Sequence, residues 1–281
     1  MRTTTKQRLS RLAACTGVVV AGGMLAVAGS AEAATPATVK LTNSATFGSG
    51  IAYDGGTGNA NNLRIVREGT KIAVTDAVAI TAGEGCASAT ATKVLCEQRF
   101  LGREVRQVTV RLGDLGDRVS VEGRFFGNVF GDAGNDFMLA GQKDCCGDSQ
   151  IIYNGGKDFD TVSYERAVTA VSVTMDDINN DGLISSFGST SGDNVRDDVE
   201  AVFGSAFADK LTGDEKFNSF FGLGGADTLN PGTGGDRVFG GSENDTLLVK
   251  DGTDDIVDGG AGIDTATVDP SDELIGVEIT R

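Results

Sequence analysis

In the stretch FGLGGADTLNPGTGGDRVFGGSENDTLL, residues 221–248, a carboxylate returns every ninth residue, at Asp227, Asp236 and Asp245. Glycines run ahead of each, and an aliphatic residue follows two places behind. A lone carboxylate at a fixed step is not the acid–base pair that glycoside hydrolysis requires. It suits a cation. Glycine-rich turns accept positive φ and close approach, so they can point carbonyl oxygens into a shared space. A hard ion taking six to eight oxygens, Ca²⁺, matches carbonyls plus one carboxylate per turn. Magnesium prefers a tighter octahedron with retained water, and softer metals want Cys or His.

The step of nine continues on both sides. Cut from residue 204, position six of successive units holds Asp209, Asn218, Asp227, Asp236, Asp245, Asp254 and, after one extra residue at Asp258, Asp264. Position eight holds Leu211, Phe220, Leu229, Val238, Leu247, Ile256 and Ala266. Earlier copies, GDAGNDFML (131–139) and GGKDFDTVS (155–163), put Asp136 and Asp160 at position six. LGDLGDRVS (112–120), with Asp117, is a weaker match, and from 164 to 203 the pattern lapses into strand-like text.

A unit of six turn residues and three extended ones explains both columns. Alternation along the extended part sends position eight inward and leaves seven and nine outside. Two units then make one coil with two parallel ladders, and stacked coils bury a column that no single unit could bury. Successive units alternate sides, so the carboxylates should form two rows. Asp209, Asp227, Asp245 and Asp264 make one; Asn218, Asp236 and Asp254 make the other. The glycines expected to open the turn oxygens to an ion are Gly222, Gly224, Gly232, Gly234, Gly240, Gly259 and Gly262.

The units GGAGIDTAT, GLGGADTLN and GDAGNDFML resemble the hemolysin-type, or RTX, calcium-binding nonapeptide G-G-x-G-x-D-x-U-x. The run GGKDFDTVSYERAVTAVSVTMDD and the text after it are similar to secreted actinobacterial calcium-binding repeat proteins. The resemblance covers roughly 110–268. It implies an all-β chain, a right-handed parallel β-roll or β-solenoid, with Ca²⁺ between turns at the aspartates named above. Asn218 stands in place of one aspartate, Pro231 and Val249 in place of first glycines, and Glu243 in place of a fourth. Fewer good sites than repeats are therefore expected, the best around 222–248 and 259–264.

The rest of the chain frames this array. Arg2, Lys6, Arg8 and Arg11, the apolar run 15–29 and Ala31-Glu32-Ala33 read as a cleaved export signal, with cleavage near Ala33 and a secreted, extracellular product. Its loss removes four of the 24 basic residues and one of the 40 acidic ones, taking the net charge from −16 to −19. That balance disfavours nucleic acid and anionic lipid and favours cations. No other segment is apolar enough to span a membrane. The organisation expected is a signal over 1–33, a strand-rich segment over 34–110 in which the early stretch GSGIAYDGGTGNANN reads as loop, degenerate repeats with interrupting strands over 111–203, the calcium roll over 204–268 and a capping strand over 269–281.

Histidine and tryptophan are absent. Ser-His-Asp and Cys-His nucleophiles and His-ligated zinc are thereby excluded, and no catalytic residue is expected. Four cysteines remain beyond the leader. Cys86 and Cys96, in GEGCASATATKVLCEQ, are expected to be bridged, and the pairing of Cys145 and Cys146 is left open. MDDINNDGLIS (175–185) has Asp177, Asn179 and Asp181 at the spacing of a calcium loop start, but Gly188 stands where the bidentate acid belongs, so it reads as a separate site or as a polar hairpin turn. The function expected is a secreted calcium-binding protein whose roll folds and is stabilised after export. The alternative is a cell-surface adhesin or envelope protein that uses the roll as a stiffened scaffold, with an unidentified surface partner.

Overall fold

The structure, a computed structural model, describes residues 33–44, 48–141, 150–185 and 190–281; residues 1–32, read above as an export signal, and Cys145, Cys146 and Gly188 lie outside the described residues. Alternation sets the local structure. In Arg237–Ser242, Val238 is fully buried while Arg237 and Phe239 face outward. Phe220 and Val257 stand in the same inward column, and Leu211, Leu229, Leu247 and Ala266 form the inward column of the other ladder, all without exposure. Burying a Leu, Val or Phe of this kind stabilises by roughly 1.5–3 kcal/mol, and only a stack of coils can do it.

Among the described residues there are 27 strands and no helix. They form three sheets. A twelve-stranded sheet takes one strand from every coil, and Arg118–Glu122, Phe137–Leu139, Thr161–Ser163, Ala201–Phe203, Ser219–Gly224, Arg237–Ser242, Ile256–Ala261 and Glu273–Ile275 are successive parallel neighbours in it. The second ladder begins in an eight-stranded sheet with Arg103–Gly113, Phe126–Ala133 and Gln150–Lys157. It resumes in a seven-stranded sheet with Val171–Thr174, Lys210–Thr212, Thr228–Asn230, Thr246–Leu248, Thr265–Thr267 and Ile279–Thr280. Paired residues sit eighteen apart, as in Ala201–Ser219–Arg237 and Lys210–Thr228–Thr246, so nine residues are half a coil. The protein is an all-β parallel roll.

The lapse between 164 and 203 has a structural counterpart. Thr161 pairs with Ala201 across a forty-residue gap, and the intervening chain is where the second ladder changes sheets. Val171–Thr174 and Gly182–Leu183 form an antiparallel hairpin there. Asp181 accepts from the N–H groups of Thr174 and Val195, and Asp177 pairs with Arg196 at 2.7 Å. The segment is a polar hairpin, and its acids are engaged by the protein itself.

Two sequence expectations are corrected. GSGIAYD was read as loop, yet Gly48–Asp54 is a strand, antiparallel to Ala37–Ser44 and parallel to Arg103–Gly113, because Ile51 and Tyr53 both reach the core. The unit 249–257 was cut one residue early. Asp245 to Asp255 spans ten residues, so the extra residue lies in that turn and not at Asp258. Asp255 is buried and Val257 points inward, whereas Asp254 is exposed and Ile256 faces out.

At the other end the strands Asn62–Glu68, Lys71–Thr75, Lys93–Glu97 and Cys86–Ser88 pair antiparallel. Cys86 and Cys96 lie opposite each other and are joined by a disulfide. Asn62–Glu68 also pairs parallel with Arg118–Glu122, which joins this segment directly to the first coil. ELIGVEIT supplies two short strands, one to each ladder, where a single one was expected.

Candidate metal centre

The aspartates form two rows, tied coil to coil through their own backbones. In one row the N–H of Asp209 donates to Oδ1 of Asp227 at 2.7 Å, that of Asp227 to Asp245 at 2.8 Å, and that of Asp245 to Asp264 at 2.8 Å. In the other, Asn218 donates to Asp236 and Asp236 to Asp255, both at 2.7 Å. The same residues' carbonyls accept from the next coil, as Asp227 does from Thr246 and Asp245 from Thr265. One oxygen of each carboxylate is thus a structural staple.

The second oxygen is the notable one. Oδ2 of Asp117, Asp136, Asp160, Asp227, Asp236, Asp245, Asp255 and Asp264 is buried with no hydrogen-bond partner. A buried carboxylate oxygen left unpaired costs its desolvation, so eight of them in register ask for a ligand. Among the described residues no three carboxylates or thiols converge, which leaves carbonyls as the companions of each Oδ2.

The glycines show where those carbonyls are. A Cβ on Gly222 would lie 2.2 Å from Oδ2 of Asp227 and 2.4 Å from the carbonyl oxygen of Gly240 in the next coil. On Gly240 it would meet Asp245 Oδ2 at 2.3 Å and the Gly259 carbonyl at 2.6 Å, and on Gly259 the Gly276 carbonyl at 2.2 Å and Asp264 Oδ2 at 2.7 Å. Gly131 repeats this with Asp136 and the Gly155 carbonyl, both at 2.3 Å. Glycine is needed at position one because two oxygens converge on it. Gly232 and Gly234 have φ of +102° and +134°, and a Cβ on Gly232 or Gly262 would strike a backbone oxygen within 2 Å. Gly224 differs: its nearest contact would be Ser242 Oγ at 3.2 Å, so nothing requires glycine there.

The row ends are filled by the protein. Oδ2 of Asp209 accepts from the N–H of Ser205 at 2.5 Å, and Asn218 accepts from Asp214 N–H and donates to the Phe217 carbonyl. Sequence reasoning placed Asp209 among the candidate ligands and Asp254 in the second row. Here Asp209 has no spare buried oxygen, and Asp255 occupies the place assigned to Asp254. The rows also run further than the nonapeptide spacing showed. Asp117, Asp136 and Asp160 continue the second row at 2.8 and 2.9 Å, with Glu200 accepting from Asp160 and Asp272 from Asp255; Glu278 accepts from Asp264 at the end of the first. Asp136, Asp160 and the weaker Asp117 were read from the repeat, whereas Glu200, Asp272 and Glu278 stand at other spacings, which hid them.

Burial pushes these carboxyls up. Desolvation, opposed by the donated N–H and aided by neighbouring carboxylates, raises Asp227 to about 8, Asp136, Asp160 and Asp255 to about 7, and Asp236 and Asp245 to about 6. Without a cation, burial favours the protonated form of these carboxyls over the charged one. A hard cation would replace those protons with a charge that the oxygens can share.

A parallel roll that lines its turns with paired carboxylate and carbonyl oxygens defines a class of metal-binding solenoid. Within it, this chain carries RTX calcium-binding nonapeptide repeats: that family's model, of four copies, matches residues 203–238, 213–247 and 232–266. The matched repeats, all within residues 203–266, support a calcium-binding repeat protein. No characterised protein sequence matches the chain.

Proposed function

We propose that the protein is exported and that Ca²⁺ completes its roll outside the cell. The observation that carries this is the register of eight buried, unpartnered Oδ2 atoms, with glycine carbonyls beside those of Asp136, Asp227, Asp245 and Asp264. Asp227, Asp245 and Asp264 in one row and Asp236 and Asp255 in the other are the ligands within the matched repeats, with carbonyls of Gly240, Gly259 and Gly276 beside the first three. Asp136 and Asp160 extend the second row outside them. Gly222, Gly232, Gly234 and Gly262 keep the turn backbones close enough to face the ion. The cation supplies charge neutralisation between coils, and the chain's residues hold and orient the oxygens.

Affinity on the order of 10⁻⁴–10⁻³ M, the range of extracellular modules, would leave the chain loose at low intracellular calcium and ordered outside. Binding only the folded form then stabilises by mass action. The role is structural and not catalytic. Among the described residues no helix is long and apolar enough to cross a membrane. The test is far-UV circular dichroism of residues 34–281 titrated with Ca²⁺ from a chelated start, with Mg²⁺ as control. A calcium-specific gain of β signal supports the reading; indifference to both ions refutes it.

A further inference from the structure

The twelve-stranded sheet carries a feature that the calcium rows do not use. Of the fourteen phenylalanines in the chain, five line one groove on its outer face, of about 420 Å³. Its floor follows position seven, where three successive strands contribute the small side chains of Thr161, Ala201 and Ser219. One wall is position nine: Phe203, Phe221 and Phe239 stack with centroids 4.2 and 4.7 Å apart and ring planes within 10° and 2°. Phe159 also lines the groove and packs against Phe217, with ring centroids 6.2 Å apart.

The ends of the floor differ. Phe137 precedes Thr161 in register, and the guanidinium over it, that of Arg118, already has Glu165 at 3.9 Å. Arg237 follows Ser219, lies over the Phe217 ring at 5.5 Å, is exposed, and makes no ion pair among the described residues. A bare guanidinium beside an apolar trough, in a chain of net charge −16, is a directed charge.

The chemistry of the lining selects the occupant. The floor strands are hydrogen-bonded on both edges, so the groove offers no backbone partners to an extended peptide. Phe221 has both faces covered by its neighbours, and a sugar ring needs an open face. What remains is an apolar slot walled by ring edges, four strands long at about 4.8 Å per strand, with one cation at its end. We infer that this groove binds a free single-chain anionic amphiphile, its aliphatic chain along Thr161, Ala201 and Ser219 and its anionic head on Arg237. This does not depend on where calcium sits.

The test uses the calcium-loaded chain, which has no tryptophan to interfere, and the fluorescence of dansylaminoundecanoate displaced by dodecanoate kept below soap formation. Dodecanoate should displace the probe and dodecyltrimethylammonium should not. Arg237→Gln should weaken dodecanoate about tenfold, as loss of a charged hydrogen bond does, and leave dodecanol unchanged. Thr161→Phe, which fills the floor, should lose both, while the calcium-dependent circular dichroism of both variants stays as in the parent. Equal binding of the cationic amphiphile, dodecanoate affinity indifferent to both substitutions, or capture by phosphatidylglycerol vesicles without binding of monomeric dodecanoate would each overturn the inference.

Discussion

The backbone N–H of Asp227 donates to Oδ1 of Asp245 at 2.8 Å, while Oδ2 of that same Asp245 is buried and unpartnered. One side chain therefore does two separable jobs: it staples its coil to the previous one, and it presents a free oxygen to the turn.

Separability can be measured. Asp245→Asn keeps an acceptor for the staple but removes the charge, so it should fold in chelator as the parent does and bind calcium more weakly. Asp245→Ala loses both, and the staple alone should cost roughly 1.5–3 kcal/mol. Asp227→Ala should weaken the same cooperative calcium transition, because it stands in the same row. Calorimetric titration and thermal melts distinguish the three variants; unchanged titrations in both alanine variants would sink the row arrangement.

Glycine substitutions discriminate further. Gly240→Ala places a methyl 2.3 Å from Asp245 Oδ2, so it should lower both stability, by about 1–3 kcal/mol, and calcium affinity. Gly224→Ala meets only the movable Ser242 hydroxyl and should be neutral, or stabilise by about 0.4–1 kcal/mol by restricting the unfolded chain. Denaturant melts with and without calcium check both.

Stability of the metal-free chain should depend on pH in an unusual direction. Folding raises these carboxyls to between about 6 and 8, above the ordinary value near 3.9 of an unfolded chain. The folded state therefore prefers them protonated. Their contribution is complete below the unfolded value and is lost as pH rises through 6 to 8. In chelator the protein should melt higher at about pH 5 than at about pH 8. Saturating calcium should reverse that order, since the ion binds the deprotonated form. A metal-free melting temperature that climbs with pH would contradict the assignment.

The register correction makes a sharp pair. Asp255→Asn should weaken calcium binding, and Asp254→Asn, on an exposed side chain, should leave it unchanged. The opposite result would restore the even nine-residue cut.

The Cys86–Cys96 bridge closes the antiparallel end of the sheet, far in sequence from the matched repeats. Replacing both by serine should cost roughly 2–4 kcal/mol and lower the melting temperature alike with and without calcium. A change confined to the calcium titration would show instead that this end communicates with the rows.

Much of this was legible in the sequence for one reason: a solenoid writes its geometry as a period. The inward column, the two rows and the half-coil of nine all followed from spacing. Legibility failed where the period did. At Asp254-Asp255 two adjacent acids precede two adjacent aliphatics, Ile256 and Val257, so either cut satisfies composition and only strand pairing decides. Glu200, Asp272 and Glu278 occupy row positions at other spacings. Asp117 looked weak because its turn lacks the leading glycine pair, yet it is buried in the same row. Gly48–Asp54 was hidden by its glycines, although Ile51 and Tyr53 alternate inward. The phenylalanine groove needed the register itself, since Phe203, Phe221 and Phe239 become neighbours only when coils of eighteen stack.

The most direct test of the central claim is a crystal structure of residues 34–281 grown with calcium, with anomalous difference maps. The account predicts peaks beside Oδ2 of Asp227, Asp236, Asp245, Asp255 and Asp264, those at Asp227, Asp245 and Asp264 within reach of the Gly240, Gly259 and Gly276 carbonyls. Peaks confined to exposed acids such as Asp254, or none along the two rows, would contradict it.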